Sequence, residues 1–197
     1  MNDHGTHRRP GPTRPYTQNQ LHQALLKLLL LKPLDRISTS ELCREADINR
    51  NTFYKHYRDP LDLLQKIERS YTESITQIVC ESLEKNSYET MIRDICQKLY
   101  ESPEISQALI TRQGSIPFLD NLIEEMHDPF LDVCHRKGTR FSDEELEVSY
   151  EYIAGGIYQT LRHWVHAEMK ESPEEVAAKI GGLSARLIHS VFTESSI

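Results

Sequence analysis

The side chains best suited to reading a nucleic acid lie close together in one short polar stretch of this chain. Arg50 and Lys55 can donate to the O6 and N7 acceptors of guanine, and Asn51 can pair with adenine. Phe53 and Tyr57 stand four residues apart in the same stretch and would share one face of a helix. A helix that buries two aromatic rings and presents Arg, Asn and Lys outward is suited to the major groove of DNA.

Neighbouring hydroxyl and imidazole groups can bind phosphate oxygens, and such contacts set the register of a protein on a duplex. The predicted DNA-binding set is Ser38, Thr39, Arg50, Asn51, Thr52, Tyr54, Lys55 and His56. In the alternative interpretation these residues form the solvated face of a helix that only packs the domain. For His56, stacking against Tyr57 is an equally good explanation.

Start signals place this stretch in a helix-turn-helix. Ser38 and Glu41 form a Ser-x-x-Glu capping box, which predicts the start of a first short helix. Asp47 falls where the chain must turn, and Asn49 can cap a second helix that continues to about Arg58. The second helix is the one that carries the aromatic and the polar faces.

Hydrophobic residues recur at helical spacing through the rest of the chain. A support helix is predicted at residues 17–31, and Asp59 with Pro60 marks the start of a long connecting helix. Further on, Ser142 opens a second capping box, and Pro129 is expected to kink or break its helix. No segment shows sustained period-two alternation, so the predicted fold class is all-α with about nine helices.

Charge is distributed unevenly, although the net charge of the 197-residue chain is −7. Residues 1–60 hold ten Lys and Arg against six Asp and Glu, whereas residues 61–197 hold thirteen against twenty-four. A basic module on an acidic body is the pattern expected of a DNA reader with a separate partner domain. We therefore predict a helix-turn-helix DNA-binding domain at residues 16–60 and a second helical domain at residues 61–197.

The first fifteen residues contain three prolines, two glycines and three arginines. This composition predicts a disordered basic arm at residues 1–15. Such an arm could reach a minor groove or phosphates, but an ordinary solvated tail is the favoured interpretation.

Several other classes of protein are not expected. No secretory signal is visible, and the most apolar run, residues 24–31, is far too short to span a bilayer, so we expect a cytoplasmic protein without a membrane partner. Four widely spaced cysteines are typical of reduced thiols: Cys43, Cys80, Cys96 and Cys134. His163 and His166 have a workable spacing for a metal, but no carboxylate or cysteine completes a motif. Without a nucleophile–base pair or cofactor fingerprint, neither an enzyme nor a cofactor is expected.

The helix-turn-helix and its flanking helices resemble the TetR family of bacterial transcription regulators. The resemblance rests on Ser38, Leu42, Ala46, Ile48, Thr52, Phe53, Tyr54, Tyr57, Leu63 and Leu64. Residues 152–183 are similar to the C-terminal domain of a low-GC bacterial branch of that family. The resemblance implies a homodimer that binds a double-stranded operator, most often as a repressor. It also implies a C-terminal regulatory and dimerisation domain that binds a small-molecule or protein effector.

Two positions depart from the family pattern. The chain has Asp47 where the family commonly has Gly at the turn, and Asp tolerates the left-handed conformation better than most residues. It has Pro60 where the family commonly has a phosphate-binding Lys, with Asp59 beside it. These departures keep a second interpretation open, namely a TetR-like coactivator or protein-interaction module with weak or no DNA binding.

Two further sets of residues are predicted for the C-terminal domain. Because glycine in a helix costs about 1 kcal/mol relative to alanine, the pair Gly155-Gly156 suggests a close helix approach at a dimer seam, with local flexibility as the alternative. The predicted dimer interface is Gly155, Gly156, Ile157, Trp164, Ile180, Leu183 and Leu187. Aromatic and Met side chains could line an effector pocket, although such residues are more often core. The predicted pocket residues are Tyr88, Tyr100, Met126, Phe130 and Tyr158.

Overall fold

The structure, a computed structural model, describes residues 14–110 and 118–192. These residues form nine α-helices and one 3₁₀ turn and no strand, which confirms the predicted fold class. The helices are α1 Arg14–Leu31, α2 Thr39–Glu45, α3 Arg50–Tyr54, α4 Pro60–Glu84, α5 Tyr88–Glu101, α6 Pro103–Ile110, α7 Phe118–Arg136, α8 Asp143–His166 and α9 Pro173–Phe192. The 3₁₀ turn, Leu34–Arg36, follows α1.

Backbone contacts divide the chain into two units, residues 1–65 and 66–197. In the first unit α1 packs on α2, and α2 packs on α3. Its centre is made of side chains that are fully removed from solvent: Leu21, Leu25, Leu26, Leu42, Phe53, Leu63 and Leu64. The predicted disordered arm lies outside the described residues except for Arg14 and Pro15, which already belong to α1.

The second unit is built around α9, which packs mainly against α5 and also against α8. Large buried side chains of this core include Leu83, Ile92, Leu146, Val165 and Ile188. Pro129 was expected to kink or break its helix, yet α7 continues on both sides of it. One long helix, α4, begins in the first unit and continues into the second.

Polar caps start the helices where the sequence predicts them. Asn49 Oδ1 accepts a hydrogen bond from the Asn51 amide at 2.8 Å at the start of α3. Ser142 and Glu145 form the complete capping box at the start of α8, with 2.8 Å from the Ser142 amide to the Glu145 carboxylate. Each of these contacts satisfies an amide that has no partner within its own helix.

His127 connects α7 to α8. Its Nε2 lies 2.6 Å from Glu147 Oε2 and its Nδ1 lies 3.0 Å from Asp128 Oδ1. Its ring also meets Tyr150 edge-on, with 5.2 Å between the centroids. The hydrogen bonds to Asp128 and Glu147 raise the pKa of His127 above its ordinary value.

Replacing His127 by Gln should reduce stability most under mildly acidic conditions. A histidine with a raised folded pKa contributes stability that is complete below its unfolded pKa and is lost as pH rises through the folded pKa. The loss in urea midpoint for His127→Gln should therefore be larger at about pH 5.5 than at about pH 8.5. His166→Gln is the control, since His166 is exposed at the end of α8 and its imidazole makes no hydrogen bond to another described residue. Equal losses at both pH values would contradict a charged His127 bridge.

Candidate functional site

Phe53 fixes the position of α3 within the first unit. Its side chain is fully buried, and the ring centroids of Tyr54 and Tyr57 lie 5.5 and 5.7 Å from its own. The Tyr57 hydroxyl is hydrogen-bonded to Nε2 of His22 on α1 at 3.1 Å. Burial lowers the pKa of His22, which favours the neutral imidazole. The helix is thus held through its aromatic side, and its polar side is left to solvent.

α3 is shorter than the sequence suggests. It spans Arg50–Tyr54 and does not continue to Arg58. The His56 amide donates to the Phe53 carbonyl at 2.9 Å, which is the tighter spacing of a 3₁₀ turn. The Tyr57 amide donates to the same carbonyl at 3.0 Å, and Tyr57 stays buried beside Phe53. The regular helix thus ends at Tyr54, earlier than its capping and spacing signals indicate.

The structure brings the predicted DNA-binding residues to the surface that α2 and α3 share. The exposed members are Ser38, Arg50, Asn51, Tyr54 and Lys55, and the half-buried members are Thr39, Thr52 and His56. Arg50 Nη2 donates to Ser40 Oγ on α2, so this contact joins the two helices. Ser40 was missed because sequence spacing alone does not show which α2 hydroxyl Arg50 can reach.

The two glutamates of α2 are paired with lysines that belong to α1 or directly follow it. Glu41 Oε2 accepts from Lys32 at 2.5 Å, and Glu45 Oε1 accepts from Lys27 at 2.5 Å. The hydrogen bond from Lys32 lowers the pKa of Glu41. Because the Glu41 carboxylate is engaged by Lys32, only one half of the predicted capping box forms, in which Ser38 Oγ accepts from the Glu41 amide. The side chain of Lys55 makes no hydrogen bond or ion pair with any other described residue. Its ammonium is therefore available to an external partner.

The start of α4 is capped from within the chain. Asp59 Oδ1 accepts from the Asp62 amide at 2.8 Å, with Pro60 at the first helical position as predicted. Asp62 Oδ2 accepts from the Arg58 amide at 2.9 Å, and the carboxylate also pairs with the Arg58 guanidinium at 3.4 Å. A helix start normally offers amides to a phosphate. Here two carboxylates lie at that position.

The second unit contains a largely apolar cavity of about 120 Å³. It is lined by α4 (Tyr71, Ile75, Val79, Leu83), α5 (Met91, Ile95, Leu99), α6 (Ile110), α7 (Leu122, Ile123, Met126, Phe130), α8 (Tyr150, Ile153, Ala154, Ile157, Tyr158, Leu161, Arg162) and α9 (Ile188). Three predicted pocket residues, Met126, Phe130 and Tyr158, are brought together here. Arg162 was missed, although a charged residue one turn after Tyr158 and beside Leu161 is a signal that could have found it.

Tyr100 and Tyr88, the other two predicted pocket residues, are placed differently. Tyr100 is absent from the cavity lining and instead stacks on Trp164, with 6.3 Å between the ring centroids and an angle of 11°. The side chain of Tyr88 lies outside the described residues. Trp164 is itself buried and donates from its indole nitrogen to the Glu171 carbonyl at 3.0 Å.

The four predicted dimer residues of α8 lie on two different sides of that helix, and the other three lie on α9. A Cβ atom added at Gly155 or Gly156 would meet no described atom within 4 Å apart from those of its own helical turn, so the helix surface there is open. Val148 and Tyr152, on the same helix, are 63% and 71% exposed. Ile157 lines the cavity instead, and Trp164 is buried, so neither lies on this open side. On α9 the predicted residues follow one side at spacings of three and four: Ile180 and Leu187, half-buried, and Leu183, exposed.

Other kinds of site find no support in the described part of the chain. No group of three or more His, Cys, Asp or Glu residues there could hold a metal ion. The four cysteines are free thiols, and burial raises the pKa of Cys96 to about 12 and that of Cys134 to about 11. Among the described helices, none combines the length and the apolar character that a membrane crossing requires.

A family model for the C-terminal region of TetR-type transcriptional regulators matches residues 86–185, about half of the chain. The chain belongs to the TetR family. An uncharacterised helix-turn-helix regulator of Bacillus subtilis, YxbF, is 19% identical to this TetR-family protein over 167 residues. That match covers 82% of this chain and 43% of YxbF, so the chain spans less than half the length of that relative.

Solved structures show the same fold. A TetR-family regulator from Syntrophomonas wolfei has a TM-score of 0.68 and 14% identity, and the match covers 93% of this chain and 100% of that one. The dihydroxyacetone kinase operon activator DhaS has a TM-score of 0.63 and 20% identity, with 90% and 98% covered. At these identities the likeness establishes the TetR fold and leaves operator and effector open.

The turn between α2 and α3 has a testable conformational requirement. Asp47 lies there with φ of 52°, in the left-handed region. Replacement by Val should destabilise the protein by roughly 1–2 kcal/mol, because a β-branched side chain clashes in this conformation. Asp47→Gly should stay within about 1 kcal/mol of the wild type, since Gly adopts this conformation without steric cost. Urea unfolding of the full chain measures both values, and Val tolerated as well as Gly would contradict the left-handed turn.

Proposed function

We propose that this chain is a homodimeric DNA-binding repressor of transcription, released from its operator by an effector that enters the cavity. In this proposal residues 16–60 bind DNA, and residues 61–197 bind the effector and the second subunit. The observation that carries it is the polar surface of α3, where Arg50, Asn51 and Lys55 are exposed on a helix anchored by buried Phe53. Such a surface offers the donors that read base edges in the major groove.

Each DNA-binding residue has a role in the proposal. Arg50, Asn51 and Lys55 read base edges, and Lys55 needs no internal partner to be displaced first. Arg50 exchanges its bond to Ser40 for a base, or keeps that bond while its remaining donors face the DNA. The hydroxyl and imidazole groups bind phosphates and fix the register: Ser38, Thr39, Thr52, Tyr54 and His56.

The open side of α8 supports a dimer. Glycine lowers helix stability, and no neighbouring group among the described residues occupies the space that a side chain at Gly155 or Gly156 would fill. A second copy whose helices approach closely at these glycines would use that space, and it would also cover Val148, Tyr152 and Leu183. Two copies are what a helix-turn-helix protein needs to read half-sites about 34–36 Å apart.

Effector release follows from the position of α4. The helix starts at Pro60 in the first unit, and its later residues Tyr71, Ile75 and Val79 line the cavity of the second. An effector that binds one arrangement of the cavity better than another shifts the population of that arrangement. A change of a few ångströms in the separation of the two α3 helices would spoil the fit to both half-sites, in line with the spacing of about 34–36 Å.

A TetR-like coactivator that acts through protein contacts is the second candidate. The carboxylates of Asp59 and Asp62 at the start of α4 favour it, because they would repel a phosphate there. The similar structure DhaS is named as an operon activator. This candidate predicts little or no duplex binding, with no steep dependence on salt.

Lys55→Ala should weaken binding to a duplex from the promoter of the chain's own gene by roughly 1–3 kcal/mol, if Lys55 reads a base. The measurement is a binding titration at fixed salt, repeated over a salt series. A base-reading Lys55 leaves the salt slope nearly unchanged, whereas a phosphate-binding Lys55 reduces it by about one.

Lys85→Ala is the matched control, because Lys85 is an exposed lysine of the second unit that follows the last residue of α4, Glu84. Equal affinity of Lys55→Ala and wild type would remove Lys55 from the interface. Absence of any salt-dependent duplex binding by the wild type would favour the coactivator.

Gly156→Leu should convert the dimer into a monomer, because a leucine side chain fills the space that a partner helix would occupy. A sizing column or sedimentation run at micromolar concentration measures the change, and circular dichroism checks that the helices remain. Gln77→Leu is the control, since it adds the same side chain at an exposed position of α4. A dimer that persists unchanged in Gly156→Leu would place the seam elsewhere.

A further inference from the structure

Two polar side chains in the wall of the cavity have no partner among the described residues. Tyr158 and Arg162 stand one turn apart on α8, both half-buried and both lining the cavity. Neither the Tyr158 hydroxyl nor the Arg162 guanidinium makes a hydrogen bond or ion pair with another described residue. The lack of a partner for Arg162 is unexpected, because residues 61–197 contain twenty-four Asp and Glu against thirteen Lys and Arg.

The other phenols of the cavity are already engaged. Tyr71 is hydrogen-bonded to Ser106 Oγ at 2.9 Å, and the Tyr150 hydroxyl donates to the Ile123 carbonyl. Burial raises the pKa of Tyr71 to about 12, so it stays a neutral phenol. Among the described lining residues, hydrogen-bonding capacity is therefore left at one place, the edge formed by Tyr158 and Arg162.

The chemistry of this pair specifies the kind of head group that fits. A half-buried guanidinium loses hydration, and an anion that accepts two of its parallel N–H donors offsets that loss. A carboxylate has the matching planar geometry, and the Tyr158 hydroxyl can donate to the same group. Arg162 is the only cation among the described residues that line the cavity, which suits a single negative charge better than a phosphate dianion.

The size of the cavity limits the rest of the ligand. Its volume is about 120 Å³. Dry apolar cavities of about 150 Å³ in other proteins accept benzene, so a tail of about six carbons is the expected size. Met126, Phe130 and Ile157 provide an apolar wall without hydrogen-bonding groups that would compete for the tail.

We propose that the cavity binds a monocarboxylate with an apolar tail of about six carbons, whose carboxylate pairs with Arg162 and Tyr158. The regulatory consequence of this binding rests on the function proposed above, but the binding itself can be tested without DNA. The ligand class is defined by a head group that carries one negative charge and a tail that carries none.

Isothermal titration of the full chain with hexanoate, 1-hexanol and hexylamine tests the head group. Hexanoate should bind at least 10-fold more tightly than either of the other two probes, because they lack the carboxylate. Arg162→Met should weaken hexanoate binding by about 10- to 100-fold, and Tyr158→Phe should weaken it by a few fold. Arg186→Met, an exposed arginine of α9, is the control and should bind as the wild type does.

Three results would overturn the proposal: no hexanoate binding by the wild type, equal binding of all three probes, or undiminished binding by both Arg162→Met and Tyr158→Phe. A fourth would be loss of the dimer in Arg162→Met with unchanged hexanoate affinity, because Arg162 would then serve a partner subunit. If Arg162→Met fails to fold, Tyr158→Phe and the three probes still decide. Hexanoate binding that has no effect on DNA affinity would keep the ligand class and contradict the repressor mechanism.

Discussion

Burial of Phe53 is the interaction on which the proposed DNA-binding surface depends. α3 has five residues, and a helix of that length is not stable by itself in water. Burying a phenylalanine side chain contributes roughly 1.5–3 kcal/mol, which is more than one exposed hydrogen bond supplies. The direction of Arg50 and Lys55 is therefore set by the aromatic core behind them. Tyr57 strengthens this core through its bond to His22 on α1.

The sides of α8 connect the two proposed activities of the second unit. Gly155 and Arg162 are seven residues apart, which places them nearly in line along the helix. Arg162 thus lies at the border between the cavity wall and the open glycine side. A ligand held by Arg162 would touch a helix whose neighbouring side meets the second subunit. Ligand binding and dimer geometry would then be coupled through one rigid element, without a relay through other residues.

Local signals predicted what local interactions determine. The caps at Asn49 and Ser142 and the start of α4 at Pro60 involve residues two to four positions apart, and all three are present. Contacts with residues further away in the sequence, which compete with these local interactions, were not predictable in the same way. Lys32 donates a hydrogen bond to the Glu41 carboxylate, which therefore does not complete the predicted capping box. Likewise, Tyr100 was predicted for the pocket as an aromatic residue, but the sequence could not show that its ring stacks on Trp164 instead. The spacing of Arg162 from Tyr158 was visible in the sequence, but only the fold shows that its guanidinium lines the cavity without a partner among the described residues.

The start of α4 affects how the binding free energy of the proposed DNA complex would be divided between phosphate contacts and base contacts. In many helix-turn-helix proteins backbone amides at a helix start bind phosphate without reading sequence. Here the Asp62 amide is already bonded to Asp59, and the Asp62 carboxylate is bonded to Arg58. Binding must then depend more on the side chains of α3, and less on contacts that every duplex offers equally. Such a protein would bind DNA more weakly overall, but a larger share of its binding free energy would come from base contacts. The two carboxylates that favour a coactivator would therefore, in a repressor, increase the discrimination between operator and other DNA.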